Sequence, residues 1–99
     1  MTTKKHGNYE WDENKNISNK KKHGVSFNEA VTAFFDNHAL IIDDPQEHED
    51  RFVLMGMSDK ARVLYVIHAE SINRKRTRII SARIATKSEA LQYTLGDAA

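Results

Sequence analysis

The amino-acid sequence predicts an α+β domain: an antiparallel β-sheet of about four strands packed with two N-terminal helices and one C-terminal helix. Three features carry this reading. Ser26-Phe27-Asn28-Glu29 has the form of a capping box, and Phe27, Ala30, Val31, Phe34 and Phe35 follow it at helical spacing. Four strand-length segments rich in Val, Ile and Leu lie between Ala39 and Ile84, joined by polar turns. Thr86 with Glu89 three residues on repeats the capping box ahead of a last helix. Short connections between strands imply antiparallel neighbours.

Met1–Gly7 is polar and expected to be frayed, so residues 1–8 read as a flexible segment, 9–95 as one domain and 96–99 as a flexible tail. Tyr9–Trp11 suits a short first strand. Asp12 can accept from the free N–H groups of a helix's first turn. Lys20, Lys21, Lys22 and His23 suit that helix's negative end, and Gly24 suits the left-handed position after it. The second helix runs to about Asp36 and should be the main core helix. Ala39–Asp43 reads as a buried strand, and Asp44-Pro45 begins a polar turn because proline disfavours helix at the residue before it. Arg51–Met57 is the next strand, Ser58-Asp59-Lys60 a hairpin connection, Arg62–Ala69 the third strand, Glu70–Lys75 a turn and Arg76–Ile84 the fourth. The last helix carries Ala90, Leu91 and Tyr93 and ends near Gly96. The Phe27–Phe35 helix should cover one sheet face, leaving the arginine-bearing side open or shared with a partner.

At 99 residues, 39% hydrophobic and 29% charged, the chain has an ordinary globular balance. It has no cysteine, which excludes disulfides, thiolate metal sites and cysteine nucleophiles. Apolar runs such as Ala39–Ile42 are far too short for a membrane helix, and the N-terminus lacks the apolar stretch of a secretory signal, so a cytoplasmic protein is expected.

The net charge of +1 hides a sorted pattern. Glu29, Asp36, Asp43, Asp44, Glu47, Glu49 and Asp50 fall in a stretch, residues 28–50, that has no lysine or arginine. All six arginines lie between Arg51 and Arg83. Guanidinium groups grip phosphate in a two-pronged fashion, so this concentration suggests a polyanion partner. The acidic stretch reads as a solvated loop, or as a surface that competes with RNA or meets a basic partner.

A strand sends alternate residues to opposite faces. Arg76 and Arg78 therefore point the same way, and Arg62 shares a face with His68. If the hairpin pairs even residues with even ones, all four share one face; a shift of one residue separates them. Such a face fits metal-independent RNA cleavage, in which the 2′-hydroxyl attacks the neighbouring phosphorus. Arginines stabilise the added charge, and His68 or Glu70 can act as base or acid. Lys22 can assist. Against this, Arg76 and Arg78 can equally solubilise an exposed sheet, and His68 can be a core residue. No histidine pair has metal-ligand spacing. The acidic loop around His48 lacks the ladder and glycine of a calcium loop, so no metal or cofactor is expected.

Glu10-Trp11-Asp12-Glu13-Asn14-Lys15-Asn16, Asn19, Lys22-His23-Gly24-Val25-Ser26-Phe27 and Glu29-Ala30 together resemble the N-terminal signature of BrnT-type toxins. Gly56-x-Ser58, Arg62-x-Leu64-x-Val66-x-His68-x-Glu70 and Arg78-Ile79-Ile80-Ser81-Ala82-Arg83-x-Ala85-Thr86 resemble the rest, so that the likeness runs from about Tyr9 to Tyr93. Two positions depart from the family's pattern: Lys20 stands where an apolar residue is usual, and the Ser71–Lys75 hairpin is longer and poorer in glycine. The resemblance implies a RelE-like fold and a ribonuclease toxin of a type II toxin–antitoxin system. It also implies a BrnA-type ribbon-helix-helix antitoxin, two toxins assembled with two antitoxins, and operator DNA bound only through that antitoxin. By position, Arg62, Arg76 and Arg78 take the family's important arginines. His68 and Glu70 join them as catalytic candidates, and Lys22 and Arg83 as RNA-binding ones. A catalytically inactive module that only pairs with an antitoxin is the alternative.

Overall fold

The computed structural model describes residues 2–46, 50–71 and 75–96. Strands β1 (Thr3–His6) and β2 (Tyr9–Asp12) precede helices α1 (Glu13–His23) and α2 (Phe27–Ala33). Strands β3 (Leu40–Asp43), β4 (Arg51–Met57), β5 (Val63–Ser71) and β6 (Arg76–Ile84) follow, and α3 (Lys87–Leu95) closes the chain.

The helix ends are built as their residues dictate. Asp12 accepts from the Asn14 N–H, and Gly24, at φ 71°, returns its N–H to the Lys20 carbonyl. Thr86 and Glu89 form the reciprocal box at α3. At α2 only half of the expected box forms. Ser26 accepts from the Glu29 N–H, while the Glu29 side chain is drawn away to Ser58 and Arg62.

The sheet departs from the predicted one in strand number and sense. It has six strands, ordered β1-β2-β6-β5-β4-β3. The N-terminal residues expected to fray supply β1, which pairs antiparallel with β2 from Thr3↔Asp12 to His6↔Tyr9. Lys4 and Lys5 explain why this strand is invisible to hydrophobic patterning: it is an edge, and charged edges discourage further pairing. Strand β2 runs parallel to β6, which makes the sheet mixed. The two are joined through the whole chain between them, and only a long connection allows parallel pairing. The β5–β6 connection, expected over Glu70–Lys75, begins after Ser71; its residues 72–74 lie outside the described residues.

Helices α1 and α2 cover one face. Trp11, Phe27, Ala30, Leu54, Leu64, Val66 and Ile79 are buried there, with Trp11 edge-on to Phe27 at 6.1 Å between ring centroids. Gly56 lets α2 approach, since a Cβ there would stand 2.6 Å from the Ala33 carbonyl oxygen. Beyond Arg78 the pairing with β2 ends and β6 meets α1 instead. The Asn19 amide donates to the Ala82 carbonyl at 2.7 Å and accepts from the Ala82 N–H at 3.2 Å, pairing with the strand as another strand would. It also donates to the Val25 carbonyl. These bonds explain a buried asparagine on a polar helix.

Candidate nucleic-acid interface

The register of the β5–β6 hairpin decides where the arginines point. From Leu64↔Ile84 to Ile67↔Ser81 even residues pair with even, as the shared-face reading requires. Ile80 is then an extra residue, a β-bulge, and the pairing resumes as His68↔Ile79, Ala69↔Arg78 and Ser71↔Arg76. Paired residues share a face. Arg76 and Arg78 are thereby turned away from the helices, onto the face of Tyr65, Ile67 and Arg83.

Across that face one row of the sheet reads Lys5, Glu10, Arg78, Ala69, Arg51, in successive strands β1, β2, β6, β5 and β4. At about 4.8 Å per strand the row spans roughly 19 Å. Glu10 is fully buried beneath it and accepts from Arg78 Nη1 at 2.7 Å. Arg76, one step further along β6 on the same face, donates to the Gly7 carbonyl at 2.7 Å. Lys5, Arg51, Arg76 and Arg78 thus put four cations above one buried carboxylate. Arg51 and Lys5 escaped the sequence reading because their neighbours across the sheet come from strands far apart in the chain.

The other expected residues fall elsewhere. Arg62 does not join Arg76 and Arg78. It precedes β5, whereas Arg76 lies opposite Ser71 at the far end, about nine residues or roughly 30 Å along the strand. It also faces the helices, where Nε donates to Glu29 Oε2 at 2.9 Å, Nη2 donates to the Gly24 carbonyl at 3.0 Å, and Nη2 pairs closely with Glu29 Oε1. The Glu29 carboxyl is 4% exposed by residue. Burial alone would raise its pKa, but bonds from Arg62 and Ser58 and the nearby charge outweigh it and hold the carboxyl below its usual range.

Arg83 does not lie free for RNA. It makes a two-pronged pair with Glu89 at 2.7 and 2.9 Å, and its guanidinium sits 4.0 Å over the Tyr65 ring. These contacts tie α3 to the sheet. A second tie joins Tyr93 to Asp36; burial and that bond push the Tyr93 phenol up to about 12. Lys22 is exposed on α1 and, with Lys15 and His23, lines a cavity of about 260 Å³ beside Ile80 and Ser81.

His68 is 1% exposed on the helix-covered face, with ring centroids of Phe34 and Phe52 at 4.9 and 6.0 Å. It stands on the opposite face from Arg76 and Arg78. Burial pushes its pKa below 6.5, against the smaller opposing effects of the Val66 carbonyl and Glu70. The imidazole is therefore neutral in the fold, while the unfolded chain takes up a proton as pH drops below 6.5. Stability supplied by neutral His68 is complete above that value and is lost as pH falls through the lower folded value. Melting temperature is accordingly expected to decline as pH drops below 6.5. His68→Leu should flatten this decline, and an unchanged slope in that variant would contradict the assignment. Glu70, half exposed near the hairpin end, shares the face of His68 and not that of Arg76 and Arg78, and both its oxygens lie 3.0 Å from Thr77 Oγ1.

No group of three or more His, Cys, Asp or Glu able to hold a metal occurs among the described residues. No described helix is long and apolar enough to cross a membrane.

A mixed sheet with α1 and α2 packed on one face and a cationic row on the other, beside α3, defines a small α+β domain suited to a polyanion. The chain belongs to the BrnT family, described as "Ribonuclease toxin, BrnT, of type II toxin-antitoxin system", which matches residues 11–89. Its fold is similar to that of the Brucella abortus ribonuclease toxin BrnT, known from a 1.1 Å crystal structure: TM-score 0.62 at 24% identity, covering 78% of this chain and 94% of that one. Comparison with curated proteins finds no match.

Proposed function

We propose that this member of the BrnT family is an active, metal-independent endoribonuclease that works in the cytoplasm, arrests translation and growth, and is neutralised by a BrnA-type antitoxin. The observation that carries the reading is the row Lys5, Arg78, Arg51, with Arg76 beside it, on the sheet face opposite α1 and α2. Cations on alternate strands, roughly 10 Å apart, form a track for the backbone of an extended single strand. Arg76 and Arg78 bind the scissile phosphate and stabilise the charge that builds on its oxygens. The 2′ proton passes to water, because Glu70 lies with Thr77 and His68 on the other sheet face. The 2′ oxygen then bonds to phosphorus, the bond to the 5′ oxygen breaks, and that oxygen takes a proton from water. The products are a 2′,3′-cyclic phosphate and a 5′-hydroxyl. The family's expected assembly, two toxins with two antitoxins that reach operator DNA only through the antitoxin, completes the proposal.

The purified chain is expected to cut single-stranded RNA as well in EDTA as in magnesium, leaving cyclic phosphate ends. Its expression alone is expected to stop growth. Absence of cleavage together with a tight antitoxin complex would instead establish a binding module without activity.

A further inference from the structure

The two edges of the sheet are not alike. The β1 edge carries Lys4 and Lys5, whereas β3 reads Leu40-Ile41-Ile42-Asp43, and Ile41 is 61% exposed. The Asp44 N–H donates to the Arg51 carbonyl, which makes that pair a hydrogen-bonded one. Bonding alternates along an antiparallel ladder, so Leu40 and Ile42 bond inward to β4. Ile41 and Asp43 therefore direct their N–H and C=O groups outward from the edge. A flat apolar edge of this kind is a template for another strand.

A groove adjoins it. A cavity of about 550 Å³ opens between Ala39 and Leu40 at the start of β3 and Tyr93 and Leu95 on α3. Leu91 and Leu95, four residues apart on α3, are 58% and 48% exposed. The described flanks of this edge are acidic: Asp43 and Asp50 are exposed, and residues 28–50 contain no lysine or arginine.

We propose that the β3 edge is where the antitoxin docks, by adding an extended segment of alternating apolar and basic residues as a seventh strand. Its apolar side chains enter the groove beside α3 and its basic ones face Asp43 and the neighbouring acids. Charge complementarity selects this occupant over a second copy, since pairing two β3 edges would bring two acidic borders together. The surface differs from the cationic face, so the antitoxin holds the toxin without depending on the RNA-binding arginines. The inference rests on the toxin reading for the identity of the partner.

Proline separates the roles of the two edges of one strand. Ile41→Pro removes an outward N–H and leaves the β3–β4 bonds in place, a position where proline is tolerated. The chain co-expressed with the product of the adjoining reading frame is expected to form a complex that Ile41→Pro weakens about tenfold or more. Asp43→Lys, a surface change that leaves the backbone alone, should weaken it too, and the Ile41 and Asp43 amides should become protected from hydrogen exchange. Both variants should melt as the parent does and still arrest growth on their own. Arrest relieved equally well in the parent and in both variants, with those amides unprotected, overturns the docking site and leaves the toxin reading standing. A homodimer of the chain alone that Ile41→Pro dissolves overturns it in favour of a second copy. Failure to arrest growth, with a complex still sensitive to Ile41→Pro, overturns the activity and keeps the site.

Discussion

Replacing Arg76 with alanine is expected to lower RNA cleavage by about 10²–10³-fold, the usual loss when one preorganised donor to a developing oxyanion is removed, while the fold melts where it did. The reason is local. Arg76 is a half-buried side chain on the open face, and its bond to the Gly7 carbonyl is from a strand end to a turn. That contact is worth about 1 kcal/mol at most once water replaces it. Arg78 is the less clean test. Its loss leaves Glu10, a fully buried carboxylate, without its guanidinium, so alanine there costs stability as well as activity. Arg78→Lys keeps the charge and loses only the two-pronged geometry. Cleavage assays on labelled RNA, run beside thermal melts, separate the two effects. Full activity in Arg76→Ala would remove this residue from the mechanism.

For Arg62 the expectation is reversed. Arg62→Ala should destabilise the protein by about 3 kcal/mol, the lower part of the range for breaking a buried pair, because the arginine itself is partly exposed. Glu29 would keep its burial and its bond from Ser58 but lose the cation that holds it ionised. Adding Glu29→Gln to Arg62→Ala should recover much of the loss, since a neutral amide needs no cation. Denaturant unfolding of the single and double variants measures this coupling. The pH profile provides a second check. The pKa of Glu29 is held below 4.5, so its contribution is complete above that value and fades as the medium is acidified through the lower folded one. Arg62→Ala should blunt that acid-side loss. An Arg62→Ala protein as stable as the parent but unable to cut RNA would return Arg62 to the active site.

Much of the architecture was legible because it is written in local terms. Asp12, Ser26 and Thr86 cap helices through their own side chains, Gly24 is where a left-handed turn is needed, and β3, β4 and β5 each carry an apolar run. Strand β1 was not legible, since Thr3-Lys4-Lys5-His6 buries nothing and is held by β2 alone. Half of the second capping box was misread for a related reason. Glu29 has the right spacing to fold back on Ser26, but Arg62 and Ser58, 33 and 29 residues away, offer it a charge and a hydroxyl.

The candidate site divides along the same line. That Arg76 and Arg78 act together follows from residue spacing, because the two-residue period of a strand holds wherever the strand lies. Which face they occupy, and with whom, depends on Ile80, where one extra residue in β6 reverses the parity of everything before it. Without that bulge both arginines would point among the buried side chains beside Ala82, and with it they join Lys5 and Arg51 on the open face. A bulge is set by long-range pairing and leaves no mark on composition or periodicity. Chain order therefore settled the elements and the pairing of neighbours i and i+2, while hydrogen-bond register between distant strands settled which cations meet and sent Arg62 and His68 to the core side.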